Sequence, residues 1–490
     1  MAHVKKFVKG TINIMFFMII SALFGYLMKF VFSRMIKVEE IGLFYSVLGF
    51  ITFFFFIRDL GLADSLVYFI PRFLIKNERS KIKSSILFTF KIQLIIGSIF
   101  YIFLLFISKG LAKFYFKDLR AQTLILILGL YYVLDGVVEI LYKLFVGYRD
   151  FFLSQGTEFS ITFFSSVSLV IFAFIGISIK WYGLSYLVSS IATIMIFGVL
   201  FFKKKFPFFS STKTSKNIGK RMLKYSLPAM VGSFAGQIFN QQSIFFLTFF
   251  LGLEAVGLYV MALSLAKISI YFLKALSIVF IPTVASLWKQ GKKIEINKTL
   301  FNIFSYAYLV CMPLALSIII FSPQILKLIY TEKFLPAVPL LQLYAVYFLL
   351  YNFGEIIRHT FLSIGRPKIS RNLTMVSLIV NIILNVILIP KIGLIGVAFA
   401  DIFAAIITAV YGSIIFSKMT SLRIPFYRLG KIFVISIIFS ILTFFLNNYL
   451  LFNEYTNLIL SLFLSGSVYL FLVFFFKIVK IKDILNLIRT

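Results

Sequence analysis

Seven cations fall inside apolar stretches that leave them no water: Lys29, Arg58, Lys91, Lys143, Lys267, Lys274 and Arg358. A charge at the centre of a bilayer costs at least about 2.5–3.5 kcal/mol and is normally turned toward a polar interior. Lys91 and Lys143 stand within two turns of a segment end, where a lysine can snorkel to the interface. Lys29 lies near the end of its own segment. Arg58 follows the phenylalanine run 53–56 and is mid-segment, while Lys267 and Lys274, seven apart, project from one helix face. Arg58 comes 16 residues after Gly42 and Lys274 comes 17 after Gly257, two glycines that correspond in an internal repeat. Such cations have a definite use. They replace the water around a phosphate or diphosphate with charge-assisted hydrogen bonds as it enters hydrocarbon. Arg58, Lys267, Lys274 and Lys29 are therefore candidate phosphate-binding residues of a central cavity, with structural ion pairing as the competing reading.

The acids form a second pattern. Asp135, Glu139 and Lys143 run at i, i+4, i+8 along one helix face, so Glu139 is expected to pair with Lys143. Glu355, Arg358 and His359 make a comparable cluster, and Asp401 sits alone in a later segment. Mutually satisfied salt bridges are one reading of these groups, and a coupling-ion or proton site is the other. Gln237, Asn240, Gln241 and Gln242 are placed to hydrogen-bond a sugar or to link helices.

The elements that carry these residues are dictated by composition. Of 490 residues, 61% are hydrophobic and only 13% charged, with a mean hydropathy of +1.02; globular domains carry about 25% charged residues. Fourteen spans are expected at 10–32, 42–70, 84–107, 121–146, 157–178, 182–202, 222–250, 256–281, 299–321, 337–362, 370–389, 394–416, 431–449 and 456–476. The basic head and long apolar run at the start, with no small-x-small cleavage site, predict an uncleaved first span. Of the 49 Lys and Arg, 32 lie in the termini and even-numbered gaps and ten on the opposite side. That asymmetry places both termini in the cytoplasm and makes the +32 net charge a topology signal, so no nucleic-acid partner is expected.

One cysteine and two histidines argue against a disulfide framework, a zinc site or haem. Gly219-Lys220, Gly291-Lys292 and Gly430-Lys431 each lack the Ser or Thr of a phosphate loop, so no ATPase is expected; the transporter plan below implies neither enzyme activity nor a cofactor.

The chain also repeats itself. Residues 38–50 match 253–265, and Phe69-Ile70-Pro71 matches Phe280-Ile281-Pro282. Gly147 corresponds to Gly365, and Tyr182-Gly183-Leu184 to Ile392-Gly393-Leu394. The offset covers six spans, an even number, so both copies have one orientation. The expected plan is an N-terminal six-helix bundle at 1–205, a basic cytoplasmic linker at 206–221, a second bundle at 222–420 and two further helices at 421–490. Two parallel bundles are a transporter plan, with the substrate path between them. Pro228, Gly232 and Gly236, four apart, would let the seventh span bend as the bundles rock.

Certain motifs carry a family resemblance. They are Arg58-Asp59-Leu60-Gly61-Leu62 with Phe69-Ile70-Pro71-Arg72, Lys224-Tyr225-Ser226-Leu227-Pro228, the run 252–259 (GLEAVGLY) and the run 389–398 (IPKIGLIGVA). In these the chain resembles the polysaccharide-transport, O-antigen-type flippase branch of the MOP (multidrug/oligosaccharidyl-lipid/polysaccharide) superfamily. The resemblance implies an all-α integral membrane protein of about fourteen helices in two bundles around a V-shaped cavity, flipping polyprenyl-linked oligosaccharides. Related lipid II flippases place cations on spans 1, 2 and 8, which correspond here to Lys29, Arg58 and Lys267 or Lys274. It further implies power from an ion gradient or the membrane potential, and polymerase or glycosyltransferase partners. The rivals are a multidrug and toxin extrusion antiporter on the same fold, and a non-transporting membrane protein of envelope or spore-coat assembly.

Overall fold

A backbone in hydrocarbon has to satisfy its own N–H and C=O groups, which a helix does along its whole length. A computed structural model of the protein describes residues 2–58, 60–176, 178–206, 217–420, 422–449, 453–476 and 478. The helices of the first half are α1 (Ala2–Met35), α2 (Val38–Phe53), α3 (Leu62–Ile75), α4 (Arg79–Gly110), α5 (Arg120–Gly147), α6 (Phe151–Ile175), α7 (Ile179–Lys204) and α8 (Ile218–Phe250). Those of the second are α9 (Leu253–Ala266), α10 (Ile268–Lys289), α11 (Lys293–Ile329), α12 (Val338–Ser363), α13 (Pro367–Ile392), α14 (Leu394–Thr420), α15 (Phe426–Tyr449) and α16 (Glu454–Phe475). Thirteen stretches among the described residues are long and apolar enough to cross a membrane. The 33-residue α8 occupies the place of the seventh expected span. The protein is an all-α, multi-pass membrane protein.

Two expected spans are each divided. The segment 42–70 is not one helix: α2 ends at Phe53, a tight turn covers Phe54–Phe56, and α3 starts at Leu62. Leu60 (φ 55°) and Gly61 (φ 72°) are left-handed, and a Cβ on Gly61 would press on the Ser226 carbonyl at 2.9 Å. Backbone sign and space both demand glycine there. The break is inexpensive, because the N–H groups of Ile57, Arg58 and Leu60 donate to the carbonyls of Phe54, Phe55 and Ile57 at 3.1–3.3 Å. In the eighth expected span, α9 stops at Ala266 and α10 starts at Ile268, which makes Lys267 the junction. Broken membrane helices occur where the backbone lines protein or a polar cavity rather than lipid.

Packing groups the helices into two compact units, Met1–Gly257 and Leu258–Thr490. In the first, α5 is the hub, in contact with α2, α3, α4, α6 and α7, while α8 packs on α2, α3 and α4. The expected plan places α8 in the second bundle, whereas it packs within the first unit; residues 207–216 of the linker before it lie outside the described residues. Leu62, Leu66 and Ile70 of α3 meet Ile140 and Leu144 of α5 in this core. In the second unit α12 is the hub, against α10, α11, α13 and α14. The helices α15 and α16 extend the same core through Phe439 and Val473, and Tyr469 donates to the Leu309 carbonyl at 2.9 Å.

Candidate functional site

The break between α2 and α3 turns Arg58 into the first unit, where only 2% of it is exposed. Its guanidinium donates to Asp135 Oδ2 at 2.7 Å and to Glu139 Oε2, both on α5. It also lies 4.2 Å from the Phe55 ring centre. A planar fork can hold two carboxylates at once, which a lysine ammonium does less well. The same helix closes the break from the other side: Tyr132 donates its hydroxyl to the Phe54 carbonyl at 3.1 Å. The break and its cation are thus held by one face of α5.

This geometry corrects an expected pair. Glu139 turns to Arg58 rather than to Lys143, and Lys143 reaches Asp64 of α3 at 2.5 Å. An i,i+4 pair on a helix contributes only about 0.2–0.5 kcal/mol. A buried guanidinium left short of its acids costs several times that. Asp59 of the family motif lies outside the described residues.

Sequence reasoning missed Gln93 and Gly136. A Cβ on Gly136 would run into the Gln93 side chain and come within 3.0 Å of Arg58 Cδ. Gln93, on α4, is itself fully buried. Glycine one position after Asp135 therefore makes room for the arginine to pass. Gly136→Ala is expected to destabilise the protein by about 1–2 kcal/mol, read from the thermal midpoint of protein purified in detergent. An unchanged midpoint would remove this spacer role. Beside the cluster is a cavity of about 340 Å³, its polar lining including Arg58, Asp135, Glu139, Lys143 and Glu158. Three carboxylates there face two cations.

In the second unit, Glu355 of α12 holds Arg358 at 2.7 Å and His359 at 3.3 Å, so the expected cluster forms. Asp401 of α14 accepts from Tyr344 and from Asn381, each at 2.6 Å, and Asn385 donates on to Asn381 at 2.8 Å. Both its oxygens are met by neutral donors. Lys267, at the junction, and Lys274, two turns into α10, stand exposed with Tyr271 between them, 40% exposed. Of the other candidates, Lys29 is half-buried in the first unit, 6.0 Å from the Tyr45 ring centre. Helix α8 runs through Pro228, Gly232 and Gly236 without interruption.

The all-α fold, with two divided spans and a cation at or beside each break, is that of a MOP-type membrane protein. The match to known proteins is more specific: residues 7–288 fit the polysaccharide biosynthesis protein family, and the chain belongs to it. Residues 228–387 also match the MatE family. Over its whole length the chain is 28% identical to an uncharacterized membrane protein of Methanocaldococcus jannaschii, 99% of which is covered. It is 24% identical to a probable low-salt glycan biosynthesis flippase of Haloferax volcanii, over 57% of this chain and 59% of that protein. Among solved structures, it shares the fold of the lipid II flippase MurJ in an inward closed conformation. That match has a TM-score of 0.73 and 18% identity, covering 95% of this chain and 98% of the other. An inward-facing multidrug resistance transporter of the MATE family matches at TM-score 0.65 and 17% identity, over 81% and 95%.

Proposed function

We propose that this protein carries an isoprenoid (di)phosphate-linked oligosaccharide from the cytoplasmic to the outer leaflet of the plasma membrane by alternating access. The observation that carries this reading is the pair Lys267 and Lys274, exposed at the start of α10 within an apolar spanning segment. A cation exposed at such a depth needs an anion, and a phosphate head supplies one that hydrocarbon cannot solvate. Family membership and the likeness to a glycan flippase support the same substrate class. In this reading both termini are cytoplasmic, α8 bends at Pro228, Gly232 and Gly236, and glycan polymerases or glycosyltransferases work on the same substrate. Arg58, held by two acids, keeps the break in α2–α3 shaped; Lys29 is an auxiliary contact.

The test is the appearance of lipid-linked glycan in the outer leaflet of cells whose own gene is deleted. Lys267→Ala with Lys274→Ala is expected to lower that rate at least tenfold at equal protein level. Full restoration by the double variant would sink the assignment of these lysines. A second reading, extrusion of organic cations, is favoured by the acid excess of the cavity beside Arg58 and by the MatE match. It predicts drug sensitivity on deletion with the glycan unaffected.

A further inference from the structure

We propose that Glu355 and His359 form a proton-loading site, sensed by Ser277 on α10, which gives the transport cycle its coupling ion. The inference rests on the flippase reading above. Ring nitrogen Nδ1 of His359 lies 3.0 Å from Ser277 Oγ, and Nε2 lies 3.3 Å from Glu355 Oε2. Glu355 Oε1 takes Arg358 at 2.7 Å, and Arg358 donates to Thr374 Oγ1 of α13 at 3.0 Å. The imidazole thus joins α12 to α10, and Arg358 beside it ties the cluster to α13.

Counting hydrogens shows what this arrangement can do. A serine hydroxyl has one proton to give. Ser277 Oγ also lies 2.8 Å from the Leu273 carbonyl, which can only accept. When the hydroxyl proton goes to Leu273, Nδ1 must carry a hydrogen of its own. The contact between Nε2 and Glu355 then holds one further proton, as imidazolium against carboxylate or as a carboxylic acid donating to the ring. When the hydroxyl turns to Nδ1 instead, Nε2–H alone satisfies Glu355 and the extra proton is gone. The same heavy-atom positions therefore serve two states one proton apart, with net charges of zero and +1 on Glu355, Arg358 and His359 together. The group that turns between them belongs to α10.

The surroundings keep the exchange local. The charges that act on His359 are Glu355 and Arg358, and Tyr351, one turn before Glu355 on the same helix, faces that carboxylate. From α10 come Ser277 and, one turn earlier, Lys274; from α13 comes Thr374. On α11, Cys311 accepts from Asn352 and Tyr308 donates to the Leu349 carbonyl, about two and three turns from His359 along α12. From α14, Asp401 is tied to Tyr344, about four turns away along α12. Imidazole is the side chain whose ordinary titration falls in the physiological range. Its partner Ser277 shares α10 with Lys274, and Lys267 caps that helix; these are the cations assigned to the phosphate.

The sequence holds only two histidines, so His3→Gln leaves His359 as the one imidazole in the full chain. Nitrogen-15 histidine NMR in lipid nanodiscs between about pH 5 and 9 is expected to show His359 gaining one proton. Glu355→Gln is expected to weaken that binding at least tenfold, and Ser277→Ala to change it several-fold. A ring fixed in one state across the range, or indifferent to both variants, would overturn the site. The coupling is read separately, from outer-leaflet appearance of lipid-linked glycan under an imposed pH gradient. His359→Gln is expected to remove the response to the gradient. Glycan movement that responds equally in His359→Gln overturns the coupling role and leaves the flippase reading intact. A normal titration with no glycan moved by the unaltered protein overturns the flippase reading, and the coupling with it, while the proton site stands.

Discussion

Arg58→Leu is expected to destabilise the protein by about 3–5 kcal/mol, because it strands Asp135 and Glu139 without their cation in the first unit. Adding Asp135→Asn and Glu139→Gln to Arg58→Leu should recover most of that loss. The reason is that a buried ion pair contributes little net stability, its Coulomb gain being offset by desolvation, whereas half of one is costly. Thermal unfolding in detergent compares the two variants directly. A triple variant no more stable than Arg58→Leu would show that the loss comes from packing, as against Phe55, and not from charge. Transport then separates two roles for the arginine. If it only shapes the break, the triple variant folds and moves glycan at close to the normal rate; if it also meets the phosphate, the triple variant folds and moves none.

The sequence allowed Arg58 to be singled out and left its surroundings open, for a physical reason. Mid-segment charge is visible in one dimension, since nothing but a polar interior tolerates it. Its partners were visible too: Asp135 and Glu139 are four apart and share a helix face. What periodicity cannot say is which of two nearby cations they face. Choosing the local Lys143 favoured a weak helix pair over a stronger tertiary one. The breaks in the second and eighth expected spans were hidden differently. Hydropathy runs through Phe54–Phe56 without a dip, and the marks of the turn, Arg58-Asp59 and Gly61, come after α2 has already ended at Phe53. The equivalence drawn between Arg58 and Lys274 from their distances to Gly42 and Gly257 is likewise adjusted: Lys267 is the residue at the second junction. Asp401 looked like a lone charge because its partners, Tyr344 and Asn381, are neutral and give no charge pattern to read. Gly136 left no signal, since a spacer glycine in an apolar helix looks like any other small residue; Gln93 is a polar residue in an apolar segment, but nothing in its spacing ties it to Arg58.

The repeat itself carries the other large effect. A Cβ on Gly42 would collide with the Leu253 carbonyl, and one on Gly257 with the Val38 carbonyl. Positions 38 and 42 correspond to 253 and 257 by the repeat offset, so each copy presses its glycine on the other copy's backbone. Contacts of that reciprocal form are what a local two-fold produces. The closeness allows weak Cα–H···O contacts between helices, which is how small residues hold membrane helices together. A carbonyl on a helix cannot swing aside as a side chain can. Gly42→Ala and Gly257→Ala are therefore each expected to cost about 3 kcal/mol, the upper end for an overpacked site. The double variant should cost far less than the two together. Once one methyl has forced α2 and the first turn of α9 apart, the second enters space already opened, so the energies couple. Unfolding midpoints of the two single variants and the double variant close the cycle. Costs that add would mean that the two glycines act at independent contacts, and the reciprocal crossing would have to be abandoned.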